Sequence, residues 1–318
     1  MARPSAKEKL KKHFRIYEQI YENPLISRSE ISENTGLTRE TVARYLDEMD
    51  STVIHGPSIS LKPAPNYREY AYFLTFENQL TAYEELIENS LVTAGIGHWN
   101  VSFTSEKCID TSQLECKECF LKKVKGETFL SKVTTLDWDE SMKKMHSMLH
   151  LPQEKSVLNE NIPSIPWQRF DWAFYRKFRN NVRAPVDHVL GELGISRKRY
   201  RRWLSSLSDV ANVQPAFYPL GMDKYHTFDF LFKSEYQKSL VEIFGMLPST
   251  SLFFSVDEYL FARLSFLSNR EMQQLILFIY KMKEEGFYSD VYSMMVVASK
   301  EWIPKRTTFP FRKRLCSR

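Results

Sequence analysis

The chain has 318 residues, 43% of them apolar and 26% charged, with ten glycines and a net charge of +5. That length supports two or more domains with cores of their own, and the composition excludes a collagenous, low-complexity or mainly disordered protein. Four cysteines make no disulfide framework, no apolar run approaches the roughly 18–20 residues of a membrane span, and no apolar segment follows the basic N-terminus, so a cytoplasmic, nucleoid-associated setting is expected.

Along the chain, Phe14, Tyr17, Ile20 and Tyr21 recur at helical spacing. Ser27 and Glu30 form a capping box that opens a second helix, which stops at Gly36, and Thr38 caps a third over 39–49. A short hairpin is expected at 53–59, in the place of a wing. A strand over 70–76, a helix over 77–88 and strands near 92–96 and 99–104 follow. The spacing then predicts a helix over 111–125 and a strand over 129–136 ending at Trp138. A linking helix over 139–154 leads into a loop punctuated by Pro163 and Pro166.

The same grammar then starts again. At an offset of 158 residues, Tyr17 pairs with Tyr175, Gly36 with Gly194, Arg39 with Arg197, Arg44 with Arg202, Pro57 with Pro215 and Phe103 with Phe261, among twelve identities. The second half adds Pro185 in a first helical turn, a Ser196 cap on a helix over 197–207 and a second short hairpin over 213–218. Strands over 228–232, 251–255 and 258–264 flank a helix over 235–246; a helix over 269–285 and a strand over 291–298 complete the half. Each half reads as helix-turn-helix plus wing, then βαββαβ, the ferredoxin-like order. The fold class expected is therefore α+β, with two such repeats forming an intramolecular pseudo-dimer. Boundaries fall at 1–66 and 67–138 for the first repeat, 139–166 for the linker, 167–222 and 223–303 for the second, and 304–318 for a basic tail.

Charge points to the chemistry. In the second half Ser196, Arg197, Lys198, Arg199, Arg201 and Arg202 place five cations in seven residues, and residues 166–221 hold ten Lys/Arg against four acids. A helix-turn-helix presents the start of its second helix to base edges while basic and hydroxyl side chains hold phosphates, so the expected partner is double-stranded DNA. A merely solvated helix face is the alternative, although such faces usually intersperse glutamates. In the first half the candidates are Thr38, Arg39, Thr41 and Arg44, diluted by Glu40, Asp47 and Glu48. Basic residues at both ends, from Lys7 to Lys12 and from Lys305 to Arg314, add phosphate contacts or simply solubilise. Cys108, Cys116 and Cys119 are open to three readings: unreactive thiols, a metal set completed by His98, His146 or His150, or a redox-sensitive pair. The order places Cys116 and Cys119 on the helix over 111–125. No catalytic motif and no cofactor signature stands out, so no enzyme is expected.

The turns Gly36-Leu37-Thr38-Arg39 and Gly194-Ile195-Ser196-Arg197, followed by the ferredoxin-like order, resemble the Lrp/AsnC transcriptional regulators; Ser255-Val256-Asp257-Glu258-Tyr259-Leu260 looks like that family's hairpin between its second and third strands. The resemblance implies a sequence-specific DNA-binding regulator, a small-molecule effector at the ferredoxin-like domains, and pairing of chains. Gly95 and Gly97 keep part of the family's effector hairpin without its aspartate, and the second half keeps Asp257 without the glycines, so no amino-acid ligand is carried over. Siroheme decarboxylases share the wing-plus-ferredoxin architecture; here only His226 invites that comparison. A winged-helix module that binds a protein partner is the other alternative.

Overall fold

The computed structural model describes residues 5–86, 91–151, 153–158 and 161–299. The basic tail, Trp302 and Cys316 lie outside them. The first half begins with α1 (Ala6–Glu22), α2 (Arg28–Thr35) and α3 (Arg39–Met49). Ser5 with Glu8 and Ser27 with Glu30 close reciprocal capping boxes, and Gly36 ends α2 at φ 65°, where a Cβ would be strained. The strand β1 (Ile54–Leu61) follows, then β2 (Glu69–Thr75), α4 (Gln79–Leu86), β3 (Leu91–Gly97), β4 (Val101–Ser105), β5 (Glu118–Leu130) and α5 (Trp138–Met148). The second half runs α6 (Arg169–Phe178), α7 (Asp187–Leu193), α8 (Arg197–Val210), β6 (Ala211–Phe217), β7 (His226–Lys233), α9 (Gln237–Phe244), β8 (Leu252–Val256), β9 (Tyr259–Phe266), α10 (Asn269–Glu284) and β10 (Asp290–Ser299). Pro185 precedes α7 rather than occupying its first turn.

The two expected wings are not hairpins. Each segment supplies a single strand, and β1 pairs with β6 antiparallel, from Ile54 opposite Phe217 to Leu61 opposite Ala211. Seven or eight residues are enough for one strand but too few for two plus a turn. Each strand starts in its own helical head and ends in the other. Ile54 packs in the first head, whereas Ile59 and Leu61 lie in the core of the second with Phe174, Phe178 and Trp203. Conversely, Ala211 belongs to the second head, while Phe217 stacks on Tyr17 of the first at 4.5 Å. Backbone bonds sew the crossing: Ile59 N donates to Arg179 O at 2.7 Å and Val182 N to Pro57 O at 2.9 Å. Arg183 donates to the carbonyls of Pro24 and Ile26 at 3.1 and 2.7 Å, tying one head to the other.

The two ferredoxin-like domains are likewise not separate. Their strands form one closed antiparallel barrel in the order β10-β3-β4-β2-β5-β8-β9-β7. Each half keeps a four-stranded order, and the halves join edge to edge through β5 with β8 and β10 with β3. Gly95 and Gly97 serve this closure, because a Cβ on either would lie 2.1 Å from a β10 carbonyl oxygen. Inside the barrel pack Phe73, Trp99, Leu231, Phe261 and Met294, and the buried Arg263 binds Asp229 twice, at 2.7 and 2.8 Å, while reaching Thr93 of the first half at 2.7 Å. Outside, α5, α9 and α10 cover Phe230, Phe232 and Phe253, while α4 covers Tyr72 and Leu74.

The helix expected over 111–125 is also corrected. Only a 3-10 turn forms at Thr111–Gln113, and the rest enters β5, which is hydrogen-bonded to β2 on one side and β8 on the other. Two ladders of backbone bonds override a local helical period. The expected strand over 129–136 contributes only its first two residues to β5, and Trp138 opens α5 instead of closing a strand. The first half therefore lacks the second helix of the βαββαβ order.

Phe217→Ala should cost about 3–5 kcal/mol of unfolding free energy, because it removes a buried ring that neither head replaces. Urea unfolding followed by far-ultraviolet circular dichroism checks this; a loss below about 1 kcal/mol would contradict the crossed packing.

Candidate nucleic-acid interface

Both helix-turn-helix units are built from the same local devices. Thr38 accepts from Thr41 N at 3.2 Å and Ser196 from Arg199 N at 3.4 Å, so α3 and α8 each start on a hydroxyl cap just after a left-handed glycine. In α8, Tyr200, Trp203 and Leu207 face the core. Helical spacing then sends Arg197, Lys198, Arg201 and Arg202 outward, where all four are exposed.

The ten cations of the second head do not act as one patch. Arg197 pairs with Asp187, and Arg199 folds back onto Asp171 at 3.2 Å, with its guanidinium over the Phe170 ring. Lys177 pairs with Glu192 at 2.9 Å, and Arg183 is consumed in the tie between the heads. Lys198, Arg201 and Arg202 have no ion pair among the described residues. Ser196 is occupied as a cap, although the residue stays exposed.

The first head differs in a way the charge count missed. Thr38, Arg39 and Arg44 are exposed and Thr41 is half-buried. The acids late in α3 are already engaged: Glu48 meets Lys9 at 2.6 Å and Arg44 at 3.8 Å, and Asp47 meets Arg28 at 3.7 Å. Arg44 also lies over the Tyr45 ring. Arg39 is thus the one candidate cation of α3 without an ion pair among the described residues. Behind α3, His13 of α1 meets Tyr45 edge-on at 5.0 Å. Burial, with help from Lys9, lowers the His13 pKa to about 4.

The cysteines separate. Cys116 precedes β5 half-buried, Cys119 lies exposed within it and Cys108 is exposed, so the helical placement of the pair is corrected. Among the described residues no group of three or more His, Cys, Asp or Glu side chains is placed to hold a metal ion. His226 stands exposed at the start of β7 beside Phe266. No helix among the described residues is long and apolar enough to cross a membrane.

The winged helix-turn-helix DNA-binding family matches residues 9–51, which span α1 to α3. Among curated proteins none matches the chain in sequence. Three solved structures are similar. The siroheme decarboxylase NirDL aligns with 91% of this chain and 92% of its own at 12% identity and a TM-score of 0.46. The same enzyme in complex with an iron-uroporphyrin III analogue gives 11% identity, the same coverage and 0.45. PH0061 aligns over 43% of this chain and 98% of its own at 16% identity and 0.27. The expectation that the chain is no enzyme is corrected by the first of these, since the protein aligned over nearly the whole length is an enzyme.

The His13 value gives a pH prediction. Its folded pKa lies below the ordinary 6.5, so the native state resists the proton that the unfolded chain accepts. Stability is then full above about pH 6.5 and is lost as pH falls toward 4. Between about pH 7 and pH 4.5 the wild type should lose on the order of 2–3 kcal/mol more than His13→Phe in urea unfolding. Parallel pH profiles for the two proteins would refute it.

Proposed function

We propose that this chain is a sequence-specific DNA-binding transcriptional regulator that carries two helix-turn-helix heads in one polypeptide, descended from a tandem duplication. The observation that carries the reading is the outward face of α8. Lys198, Arg201 and Arg202 stand there exposed and without ion pairs among the described residues, beside a hydroxyl-capped helix start. The family match on the first head supports it, as does the spacing of elements: α3 and α8, α4 and α9, and β4 and β9 all begin 158 residues apart.

Phosphates attract such a face, and the affinity falls as counterions are added back. Among the described residues α8 offers three cations without ion pairs and α3 one, so the second head supplies most of the affinity. Because the heads differ, the preferred site is asymmetric or an imperfect palindrome. Two heads fixed by the β1–β6 ribbon do within one chain what a symmetric dimer does with two.

The test is selection of bound duplexes from a random-sequence pool, followed by fluorescence anisotropy on the winner across a salt series. Arg201→Gln with Arg202→Gln should weaken binding at least about tenfold and lower the salt slope by about 1 for each phosphate that an arginine no longer neutralises. Arg39→Gln with Arg44→Gln should cost less. Equal losses from the two pairs would contradict the asymmetry, and no enrichment of any duplex would overturn the reading.

A further inference from the structure

An open cleft of about 890 Å³ lies where the second head, the ribbon and the barrel meet. It is walled by β1, by the end of α6 and by the first-half strands and loop around residues 104–109 and 125–130. A space of this size matches the roughly 300–1,000 Å³ of sites that hold drug-sized organic molecules, and it far exceeds one amino acid. The barrel interior is no competitor, since its free space is only about 20 Å³, room for a single water.

The lining is chemically mixed in an ordered way. At the floor Lys125, 7% exposed, donates to the Glu69 carboxylate. Arg179 acts on that same carboxylate from the second head, so two cations share one acid. Nearby, Thr128 Oγ1 is buried without a hydrogen-bond partner. Phe254, Leu252, Leu61 and Ile59 supply apolar wall. Lys107 and Arg176 are exposed without ion pairs among the described residues, and Glu106 and Asp50 are the further acids of the lining. An anion seated between exposed arginines gains charge-assisted hydrogen bonds from both.

We infer that this cleft binds an amphipathic organic anion larger than an amino acid, its apolar body against Phe254 and Leu252 and its acid group shared between Arg176 and Arg179. The site goes beyond the DNA-binding reading and does not depend on it. A ligand seated there touches the second head and the barrel at once, so it braces one against the other.

The test uses the full chain without DNA. 8-Anilinonaphthalene-1-sulfonate serves as the anionic probe and N-phenyl-1-naphthylamine as the uncharged molecule of similar body. The sulfonate should bind saturably at one site per chain, at least about tenfold more tightly than the amine, which corresponds to about 1.4 kcal/mol. Arg176→Gln with Arg179→Gln, both exposed and safe for folding, should weaken the sulfonate at least fivefold. Ser60→Trp, which fills the cavity from the ribbon, should abolish its saturable signal. Non-saturable fluorescence, or unchanged binding in both variants, overturns the site. Loss in Ser60→Trp with full binding in the arginine variant, or equal binding of the amine, overturns the anionic class. Should Ser60→Trp fail to fold, the arginine variant and the amine still decide.

Discussion

Pairing of β1 with β6 is the constraint on which the rest of the molecule depends. Neither head closes its own core: the first takes Phe217 from the second half, and the second takes Ile59, Leu61 and Tyr67 from the first. A head of about 60 residues buries only about 60% of the surface its unfolded chain exposes, so side chains supplied by the other half complete a marginal core. The ribbon is also fastened to the barrel. Gln214 accepts from Leu130 N at 3.0 Å and donates to Tyr21 Oη at 3.1 Å, while Asn212 donates to Glu127 at 2.8 Å. Heads, ribbon and barrel are therefore one cooperative unit rather than beads on a linker.

Closure of the barrel follows the same logic of exchange. Each half alone would be an open four-stranded sheet with two unpaired edges, a template for association with other chains. Joining β5 to β8 and β10 to β3 satisfies all four edges within the molecule. Close approach at the second seam requires the missing side chains of Gly95 and Gly97. The Arg263–Asp229 pair spans β9 and β7, and its reach to Thr93 links the halves through the interior. Such a buried pair adds little net stability, but a slipped register would leave a charge unpaired, which is costly.

What the sequence made legible was local. The Ser27–Glu30 capping box, the left-handed glycines at 36 and 194, and the helical periods of α1, α3 and α10 depend on neighbours within a turn, and they stand where the residues put them. Pairing between distant strands was not legible. A short alternating run reads the same whether it turns back on itself or crosses to a partner 156 residues away, as Ser58 does with Gln214. The same blindness inflated the cationic patch. Arg199 counted as a DNA contact and Arg183 entered the basic surplus because their partners, the carboxylate of Asp171 and the carbonyls of Pro24 and Ile26, lie elsewhere in the chain. The cavity had no signature at all, since its walls come from three separate modules.

The first half departs from the second beside that cleft. In the second half, α10 packs its Leu275, Phe278 and Ile279 over the outer sheet face before β10 begins. In the first half the same interval is a loop that places Ile109, Leu114 and Cys116 against Tyr72, and then the 13-residue strand β5. A loop covers a sheet less completely than a four-turn helix does. The segment around 104–109 borders the open space, and β5 carries Lys125 and Thr128 into its floor. In the place of that helix, β5 makes ladders on both sides. The halves thus differ: the second carries α10 and concentrates cations on α8, while the first has a loop in the place of that helix and borders the open cleft.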